Sequence, residues 1–146
     1  MILVDTNILL YAHDSSNPRF DAARSWFEQA VDGDEEVGFA LVSLLVFLRI
    51  ITSPTLFERP MTAHEAIEVV ADLTARPGVV LAQPTERHWE VLDGLARSGR
   101  AKGPLVMDAH LAALAIEHGA TLCSTDRDFT RFSRLRFRDP LEASDE

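Results

Sequence analysis

The chain begins Met1-Ile2-Leu3-Val4-Asp5-Thr6-Asn7-Ile8-Leu9-Leu10-Tyr11, and this stretch decides how the rest is interpreted. Residues 2–4 form an apolar run too short for a helix core, so they predict a strand buried on both faces, as in a parallel sheet. Asp5 then follows the carboxyl end of that strand, the edge at which ligands and catalytic groups collect in open α/β sheets. Taken alone, Asp5 is better explained as a helix cap.

Three helices are predicted in the first half of the chain. Residues 20–31 repeat apolar side chains at helical spacing, and Gly33 ends that helix. Residues 41–51 are apolar on almost every side, so this helix is expected to be buried. Thr62 and Glu65, three residues apart, form a capping box that opens a third helix.

Two more helices are predicted in the second half. Thr85 is the expected cap of the first, whose inner face would carry Trp89, Leu92 and Leu95. The second is a strongly apolar segment, residues 109–118, which Asp108 opens and Gly119 ends as a left-handed cap.

Short strands are predicted between these helices, at residues 37–40, 79–82, 121–124 and 135–137. Helices and strands therefore alternate, which predicts an α/β sandwich around a mainly parallel sheet of four or five strands. The length of 146 residues suits a single domain, 1–146, with residues 142–146 expected as a frayed tail.

The composition narrows the class of protein. Hydrophobic residues make up 47% and charged residues 25%, which is typical of a globular chain and argues against disorder. No basic segment precedes Asp5, which argues against a signal peptide. The longest apolar stretch, residues 39–48, is about half of the roughly 20 residues that a membrane span needs. Cys123 is the single cysteine and cannot form an internal disulfide, so we expect a cytoplasmic location.

Basic residues are concentrated in one part of an acidic chain. The formal net charge is −9, which would argue against a nucleic-acid partner. Residues 97–138, however, hold eight basic and four acidic side chains, a local charge of +4. An uneven solvated surface is a nearly equal explanation of this asymmetry.

Acidic side chains recur at comparable places. Asp5 follows the first strand, Asp126 and Asp128 follow residues 121–124, and Asp108 opens an apolar helix whose dipole favours its ionised form. Carboxylates gathered in a small space stay ionised together only if a cation compensates their charge. We therefore expect all four in one catalytic site, with Asp5, Asp108 and Asp126 as direct metal ligands and Asp128 ranked last.

Oxygen ligands with few nitrogen or sulfur donors nearby favour Mg²⁺, or Mn²⁺, over zinc. The five histidines show no metal-binding spacing, and His110 is expected to point away from Asp108. A carboxylate-bound Mg²⁺ beside basic loops suits phosphodiester hydrolysis. The sequence has no Gly-rich phosphate loop, no G-x-S-x-G elbow and no Cys–His pairing.

Four segments, in order and at fitting spacing, resemble the PIN-domain ribonucleases of the VapC toxin type. They are Val4-Asp5-Thr6-Asn7, Phe47-Leu48-Arg49-Ile50, Asp108-Ala109 and Ser124-Thr125-Asp126-Arg127-Asp128-Phe129. The resemblance spans essentially the whole chain and implies a PIN-like α/β/α sandwich. It also implies Mg²⁺-dependent endonucleolytic cleavage of RNA, a homodimer, and an antitoxin partner that blocks the active site.

Further residues are expected to support this site. Thr6, Asn7 and Thr125 would orient the carboxylates. Basic side chains before Asp108 and around Asp126 would position RNA through its phosphates. These basic residues are Arg97, Arg100, Lys102, Arg127 and Arg131.

One feature departs from the family pattern. The family usually carries a Glu just before or within the segment that matches residues 46–49, and here Val46 and Phe47 stand at the candidate positions. Asp126 and Asp128 would compensate for this missing carboxylate, or the site would bind its metal ion weakly. The alternatives are therefore a catalytically weak or inactive PIN-fold module that binds RNA or antitoxin, and a receiver-like phosphotransfer domain. The receiver-like alternative is disfavoured because Lys102 is the single lysine and Asp5 stands alone.

A homodimer is also expected from the residues themselves. The segments 39–51 and 109–116 are apolar on more faces than a small sheet covers, so part of this surface would face a second copy. Burial of both helices within the monomer is the competing explanation.

Overall fold

The computed structural model describes residues 1–142, in which a five-stranded parallel sheet lies between two layers of helices. The strands are β1 (Ile2–Val4), β2 (Val37–Phe39), β3 (Val79–Leu81), β4 (Thr121–Cys123) and β5 (Phe137–Arg138). They lie in the order β3-β2-β1-β4-β5, and each neighbouring pair is parallel. The predicted α/β class and parallel sheet are confirmed.

Six α-helices connect the strands. They are α1 (Thr6–Ala12), α2 (Phe20–Asp32), α3 (Leu41–Ile51), α4 (Ala63–Thr74), α5 (His88–Ser98) and α6 (Leu105–Glu117). A 3₁₀ helix, Arg127–Arg131, follows β4. The predicted capping box is present, because the Thr62 hydroxyl accepts a hydrogen bond from the Glu65 amide at 3.1 Å.

The first strand is the centre of the sheet. Ile2 is in register with Val37 on one side and Thr121 on the other. Successive side chains of a strand point to opposite faces. Ile2 and Val4 accordingly pack with α1–α4 in one core, and Leu3 packs with α5 and α6 in the other. The three residues are at most 4% exposed, as expected for a strand buried on both faces.

The sheet topology positions the carboxyl ends of β1 and β4 side by side. Val4 is in register with Cys123, and the Asp5 amide donates to the Cys123 carbonyl at 3.0 Å. The residues that follow these two strands therefore meet at the same edge, although they come from opposite ends of the chain.

The predicted bounds of α6 need a correction. The helix begins at Leu105, so Asp108 lies within its first turn instead of preceding it. From Ala109 to Ala115 the helix is buried within the monomer, apart from the partly exposed His110. Four alanines in this stretch allow α6 to approach the sheet closely, and Gly119 ends the helix with φ +64° as predicted.

The expectation that α3 is buried on all sides is wrong for one face. Leu44, Phe47 and Ile51 are in the core, whereas Leu41 and Leu45 are 56% and 54% exposed. The neighbouring layers cover only the sides of α3 that face the sheet and α4, so its apolar outer face is left to solvent.

The expected start and inner face of α5 are also wrong. Its N-terminal cap position is Arg87, and the Thr85 hydroxyl instead donates to Glu117 Oε1 at 2.6 Å. The helix is rotated so that His88, Val91 and Leu95 face inward, and Trp89 is 79% exposed. Buried His88 takes the inward position because it has a hydrogen-bond partner there, which the apolar pattern alone did not indicate.

Two smaller differences concern the end of the chain. The last strand covers Phe137–Arg138 instead of residues 135–137, because Leu135 packs into the core of the α5–α6 side before the strand begins. Of the expected tail, Glu142 forms an ion pair with Arg127, and residues 143–146 lie outside the described residues. Within residues 1–142, none of the helices combines the length and apolarity needed to cross a bilayer.

Candidate metal centre

Ser124 connects the two strand ends that carry the predicted acids. Its hydroxyl donates to Asp5 Oδ2 at 2.8 Å. The same oxygen accepts from Asn7 Nδ2 at 3.1 Å and from the Asp126 amide at 3.0 Å. Ser124 is fully buried, so these three hydrogen bonds fix Asp5, Asn7 and Asp126 relative to one another.

Asp5 caps a helix with one carboxylate oxygen and accepts from Ser124 with the other. Its Oδ1 accepts from the Thr6 amide at 2.8 Å and caps α1, while its Oδ2 faces Ser124. The Thr6 hydroxyl donates to the Ser43 carbonyl at 2.9 Å, which ties this corner to the start of α3. The cap therefore orients the carboxylate instead of competing with a function at the site.

Three further carboxylates converge beside this corner. One oxygen each of Asp108, Asp126 and Asp128 lies within 4.8 Å of the others. They come from the first turn of α6, the loop after β4 and the start of the 3₁₀ helix. Asp126 also caps the 3₁₀ helix, because its Oδ1 accepts from the Asp128 amide at 2.9 Å.

The site opens into a cavity of about 310 Å³. Asp5, Asp108 and Asp126 line it together with Thr6, Asn7 and Ser43. Its apolar lining includes three α3 residues one turn apart, Val42, Val46 and Ile50. Asp5 and Asp108 both line this cavity, whereas the group of carboxylates within 4.8 Å contains Asp108 but not Asp5.

Burial, together with the neighbouring negative charges, raises the pKa values of two acids at the site. The pKa of Asp108 is raised to about 6, first by desolvation and then by the negative charges of Asp126, Asp5 and Asp128, while Arg131 opposes the shift. The pKa of Asp5 is also raised, chiefly by its burial, although hydrogen bonds from Ser124 and Thr6 favour the carboxylate. Without a cation, these carboxylates are thus held together at an electrostatic cost.

The donor set fits a hard cation. All four acidic groups offer oxygen, the ligand atom that Mg²⁺ and Mn²⁺ prefer. Two buried oxygens nearby, Asn7 Oδ1 and Ser43 Oγ, have no hydrogen-bond partner among the described residues. Such orphaned polar atoms at a cavity wall are suited to receive hydrogen bonds from, or donate them to, water around a bound ion.

The two candidate positions for the absent family Glu differ in their surroundings. Phe47 is fully buried in the core, whereas Val46 lines the carboxylate cavity. Of the two, Val46 is the position from which an acidic side chain would enter the cavity.

The predicted basic residues occupy different environments. Arg131 reaches toward the site, donating to the Gly99 carbonyl at 3.0 Å and the Asp128 carbonyl at 3.2 Å. Arg97 pairs with Asp93 along α5, and Arg127 pairs with Glu142. Arg100 and Lys102 are exposed in the loop between α5 and α6, where Arg100 has φ +52°.

The supporting residues were only partly identified from the sequence. Thr6 and Asn7 contact the site as expected, but the hydroxyl that reaches Asp5 belongs to Ser124, whereas the side chain of Thr125 makes no hydrogen bond within residues 1–142. Ser124 is the first residue after β4, so its place at a strand end was a usable sequence signal. No comparable signal pointed to Ser43, which lies within α3.

This geometry is accompanied by a match to a known family. A sequence model of the PIN domain matches residues 2–135. The chain belongs to the PIN domain family. The resemblance seen in the sequence is confirmed over nearly its full length.

Curated relatives of this PIN domain carry ribonuclease names. Ribonuclease VapC37 of Mycobacterium tuberculosis (strain ATCC 25618 / H37Rv) is 43% identical over 140 residues, which cover 96% of this chain and 97% of the relative. VapC ribonuclease Mb2897 of Mycobacterium bovis (strain ATCC BAA-935 / AF2122/97) is 39% identical over 142 residues, covering 97% of each.

Solved structures share the fold of this PIN domain. VapBC2 from Rickettsia felis, bound to a promoter DNA fragment, aligns with a TM-score of 0.68 at 16% identity, covering 94% of this chain and 98% of that chain. VapC20 from Mycobacterium tuberculosis, described as a sarcin-ricin loop cleaving toxin, aligns with a TM-score of 0.65 at 18% identity, covering 93% and 99%. At these sequence identities, the comparison with solved structures shows a shared fold alone.

Proposed function

We propose that this PIN domain is a metal-dependent endoribonuclease, the toxin of a toxin–antitoxin pair, which hydrolyses phosphodiester bonds in RNA. The observation that carries the proposal is the convergence of Asp108, Asp126 and Asp128 within 4.8 Å, together with the cavity that Asp108 and Asp126 line with Asp5. The ribonuclease names of relatives at 39% and 43% identity support it.

Mg²⁺, with Mn²⁺ as the alternative, is the proposed cofactor. Asp5, Asp108 and Asp126 would hold it, and Asp128 would complete the catalytic acids. When bound, such an ion activates water and stabilises charge on phosphoryl oxygens. Ser124, Thr6 and Asn7 would hold the carboxylates in place. Thr125, the other predicted supporting residue, would contribute only as the backbone link between Ser124 and Asp126.

RNA would approach past the basic residues of the α5–α6 loop and the 3₁₀ helix. Arg131 is closest to the acids, since its charge acts on Asp108. Arg100 and Lys102 remain available for phosphates, while Arg97 and Arg127 would have to leave the carboxylates of Asp93 and Glu142. Contacts of this type position a substrate without reading its sequence.

The proposed partners are a cognate antitoxin and a second copy of the chain, with action in the cytoplasm. Solved neighbours such as VapBC2 are described as complexes, which supports the antitoxin. The outer face of α3, with exposed Leu41 and Leu45, supports a homodimer, because α6 is already covered within the monomer.

A second candidate function is a catalytically weak binding module for RNA or antitoxin. The apolar wall at Val46 favours it, because an acid at this position would add a ligand to the centre.

The deciding experiment measures cleavage of single-stranded RNA by purified protein with Mg²⁺ and with EDTA. Asp108→Asn and Asp126→Asn should each lower the rate by roughly 100-fold or more, the scale of losing one preorganised charge-stabilising group. Calorimetric titration with Mg²⁺ should show a matching loss of affinity.

The control variant is Asp34→Asn, which removes an exposed carboxylate from the loop before β2, at the opposite edge of the sheet. It should cleave RNA at the parent rate. Parent protein that binds RNA but shows no Mg²⁺-dependent cleavage would favour the binding module instead.

A further inference from the structure

A buried chain of hydrogen bonds links three titratable side chains on the α5–α6 side of the sheet. Glu117 Oε2 lies 2.6 Å from His88 Nδ1, and His88 Nε2 lies 2.9 Å from His110 Nδ1. Thr85 secures the far end, donating to Glu117 Oε1 from its amide at 2.9 Å and its hydroxyl at 2.6 Å. The side chains of His88 and Glu117 are shielded from solvent. The metal centre uses none of these groups.

The hydrogen bonds between these side chains determine which nitrogen of His110 is left without a partner among them. Desolvation acts to raise the pKa of Glu117, but hydrogen bonds from Thr85 and His88 outweigh it, so the pKa is lowered and the group is a carboxylate. A carboxylate accepts, so His88 donates to it from Nδ1, while His88 Nε2 is engaged by His110 Nδ1. The Nδ1 atom of His110 is therefore occupied, and its Nε2 is the ring nitrogen left to hydrogen-bond a group in the groove.

His110, at the free end of this series of hydrogen bonds, lies in a groove of about 420 Å³. We call it the Trp89 groove; it is lined by Val42, Pro84, Thr85, His88, Trp89, Leu92, Val106, Met107 and His110. Trp89 is 79% exposed, and Met107 precedes the metal-centre residue Asp108. Val42 and Met107 line both this groove and the carboxylate cavity, so the two spaces adjoin.

The lining indicates what kind of group the groove accepts. It contains no Lys or Arg, so it is not built for a phosphate. A purely apolar partner would gain nothing from a buried chain of hydrogen bonds that ends in a polar ring nitrogen in the groove. A nucleobase has both features that the groove matches, a flat face that stacks on an aromatic ring and a polar edge that forms hydrogen bonds.

We propose that the Trp89 groove binds one nucleobase of single-stranded RNA, stacked on Trp89, with the polar edge of the base hydrogen-bonded to His110 Nε2. The inference rests on the proposed function, because the groove adjoins the cavity in which the phosphodiester would be cleaved.

The test uses Trp89 as its own reporter. The chain has two tryptophans, so Trp26→Phe leaves Trp89 as the single indole fluorophore. This variant is titrated in EDTA, which prevents cleavage, with six-nucleotide oligo(A), oligo(C) and oligo(U). We expect saturable quenching of Trp89 fluorescence by each of the three oligonucleotides, because every base has a face that can stack on the indole.

Two substitutions separate stacking from hydrogen bonding. Trp89→Ala should weaken RNA binding, measured by anisotropy of labelled oligo(A), by roughly 5- to 100-fold, the range for one stacked base. Its control is Ile67→Ala, which truncates another exposed apolar side chain on α4 and should leave the affinity unchanged. His110→Asn lacks the Nε2 atom, so it should retain quenching of Trp89 and bind each oligonucleotide several-fold more weakly.

The outcomes separate this inference from the proposed function. The groove proposal is overturned if Trp89 fluorescence does not respond at oligonucleotide concentrations that saturate the anisotropy signal. It is overturned equally if Trp89→Ala loses a co-purified protein inhibitor while keeping the parent affinity for RNA, which would make the groove a protein-docking surface. Parent protein that quenches as expected but cleaves no RNA with Mg²⁺ would overturn the proposed function and leave base binding by the groove supported.

Discussion

The Ser124 hydroxyl donates to Asp5 Oδ2 across 2.8 Å and joins two residues that lie 119 positions apart. The bond forms because β1 and β4 are parallel neighbours whose carboxyl ends reach the same edge. The orientation of the Asp5 carboxylate therefore depends on a residue with no charge and no metal-binding role of its own.

Removing this hydroxyl should damage both stability and activity. Ser124→Ala leaves Asp5 Oδ2 without its donor, and Asn7 Nδ2 and the Asp126 amide without their acceptor. We expect the free energy of unfolding to fall by about 1–3 kcal/mol, measured by urea denaturation, together with slower cleavage. Thr125→Ala is the matched control, and an effect of Thr125→Ala as large as that of Ser124→Ala would contradict the assignment.

The metal-free protein should lose stability as the pH rises. The pKa of Asp108 is about 6 in the folded state against an ordinary value of 3.8, so the fold holds this proton more tightly than the unfolded chain does. The resulting stabilisation is complete below about pH 3.8 and is lost by about pH 6. Asp108→Asn cannot lose a proton, so the Tm of the parent should fall relative to that of the variant across this interval.

The same titration should be visible in the stabilisation of the protein by Mg²⁺. The ion should raise the Tm of the parent more at pH 7 than at pH 4.5, because ionised Asp108 is the form that binds it. A Tm difference between parent and Asp108→Asn that stays constant from pH 4 to pH 7 would refute the expected titration.

Restoring an acid on the apolar wall should strengthen metal binding. Val46→Glu points a carboxylate into the cavity that Asp5, Asp108 and Asp126 share. Because ligand charge sets the affinity of oxygen sites, we expect Mg²⁺ to bind roughly tenfold more tightly in calorimetry. Leu45→Glu adds the same charge to the exposed face of α3, and equal affinities in the two variants would show that Val46 does not face the ion.

Neutralising the exposed loop charges should reduce the salt dependence of RNA binding. Asn tolerates the positive φ of residue 100, so Arg100→Asn combined with Lys102→Gln removes both charges with little backbone strain. The slope of log affinity against log salt should decrease by roughly 0.7 for each lost phosphate contact. Arg76→Gln, which breaks the distant pair with Asp32, should leave the slope unchanged, and an unchanged slope in the double variant would exclude a guiding role.

The exposed face of α3 should hold two copies together. Leu41 and Leu45 are more than half exposed, and an arginine at position 45 would be desolvated in a symmetric interface. Leu45→Arg should therefore shift sedimentation from dimer toward the 16.2 kDa monomer, whereas Leu56→Arg, at an exposed turn, should not. A parent protein that sediments only as a monomer at micromolar concentration would rule the dimer out.

The fold was readable from the sequence because its strands are short apolar runs with clear boundaries. Residues 2–4 and the Thr62 capping box each rely on neighbours in sequence, where periodicity and propensity act. The four acids were readable for a similar reason, since each follows a strand or opens a helix. The resemblance to a known family then tied these separate positions to one site.

What the sequence did not predict depends on contacts between distant segments. His88 and Glu117 are 29 residues apart, and their hydrogen bond rotates α5 so that Trp89 faces solvent. The same applies to Ser124, whose partner Asp5 lies at the other end of the chain. Polar groups with no local pattern are positioned by tertiary structure, so a pass along one sequence does not pair them.

The central position of the first strand has a consequence for synthesis. On the ribosome, Asp5 emerges early, but the strand that completes its surroundings ends at Cys123, and Asp126 follows later still. A chain interrupted anywhere before Thr121 lacks the β4 partner of β1 and cannot place Asp126 beside Asp5. Truncated products that lack β4 would therefore not assemble the proposed metal centre, and any cleavage of RNA by this polypeptide would require synthesis to proceed beyond Asp126.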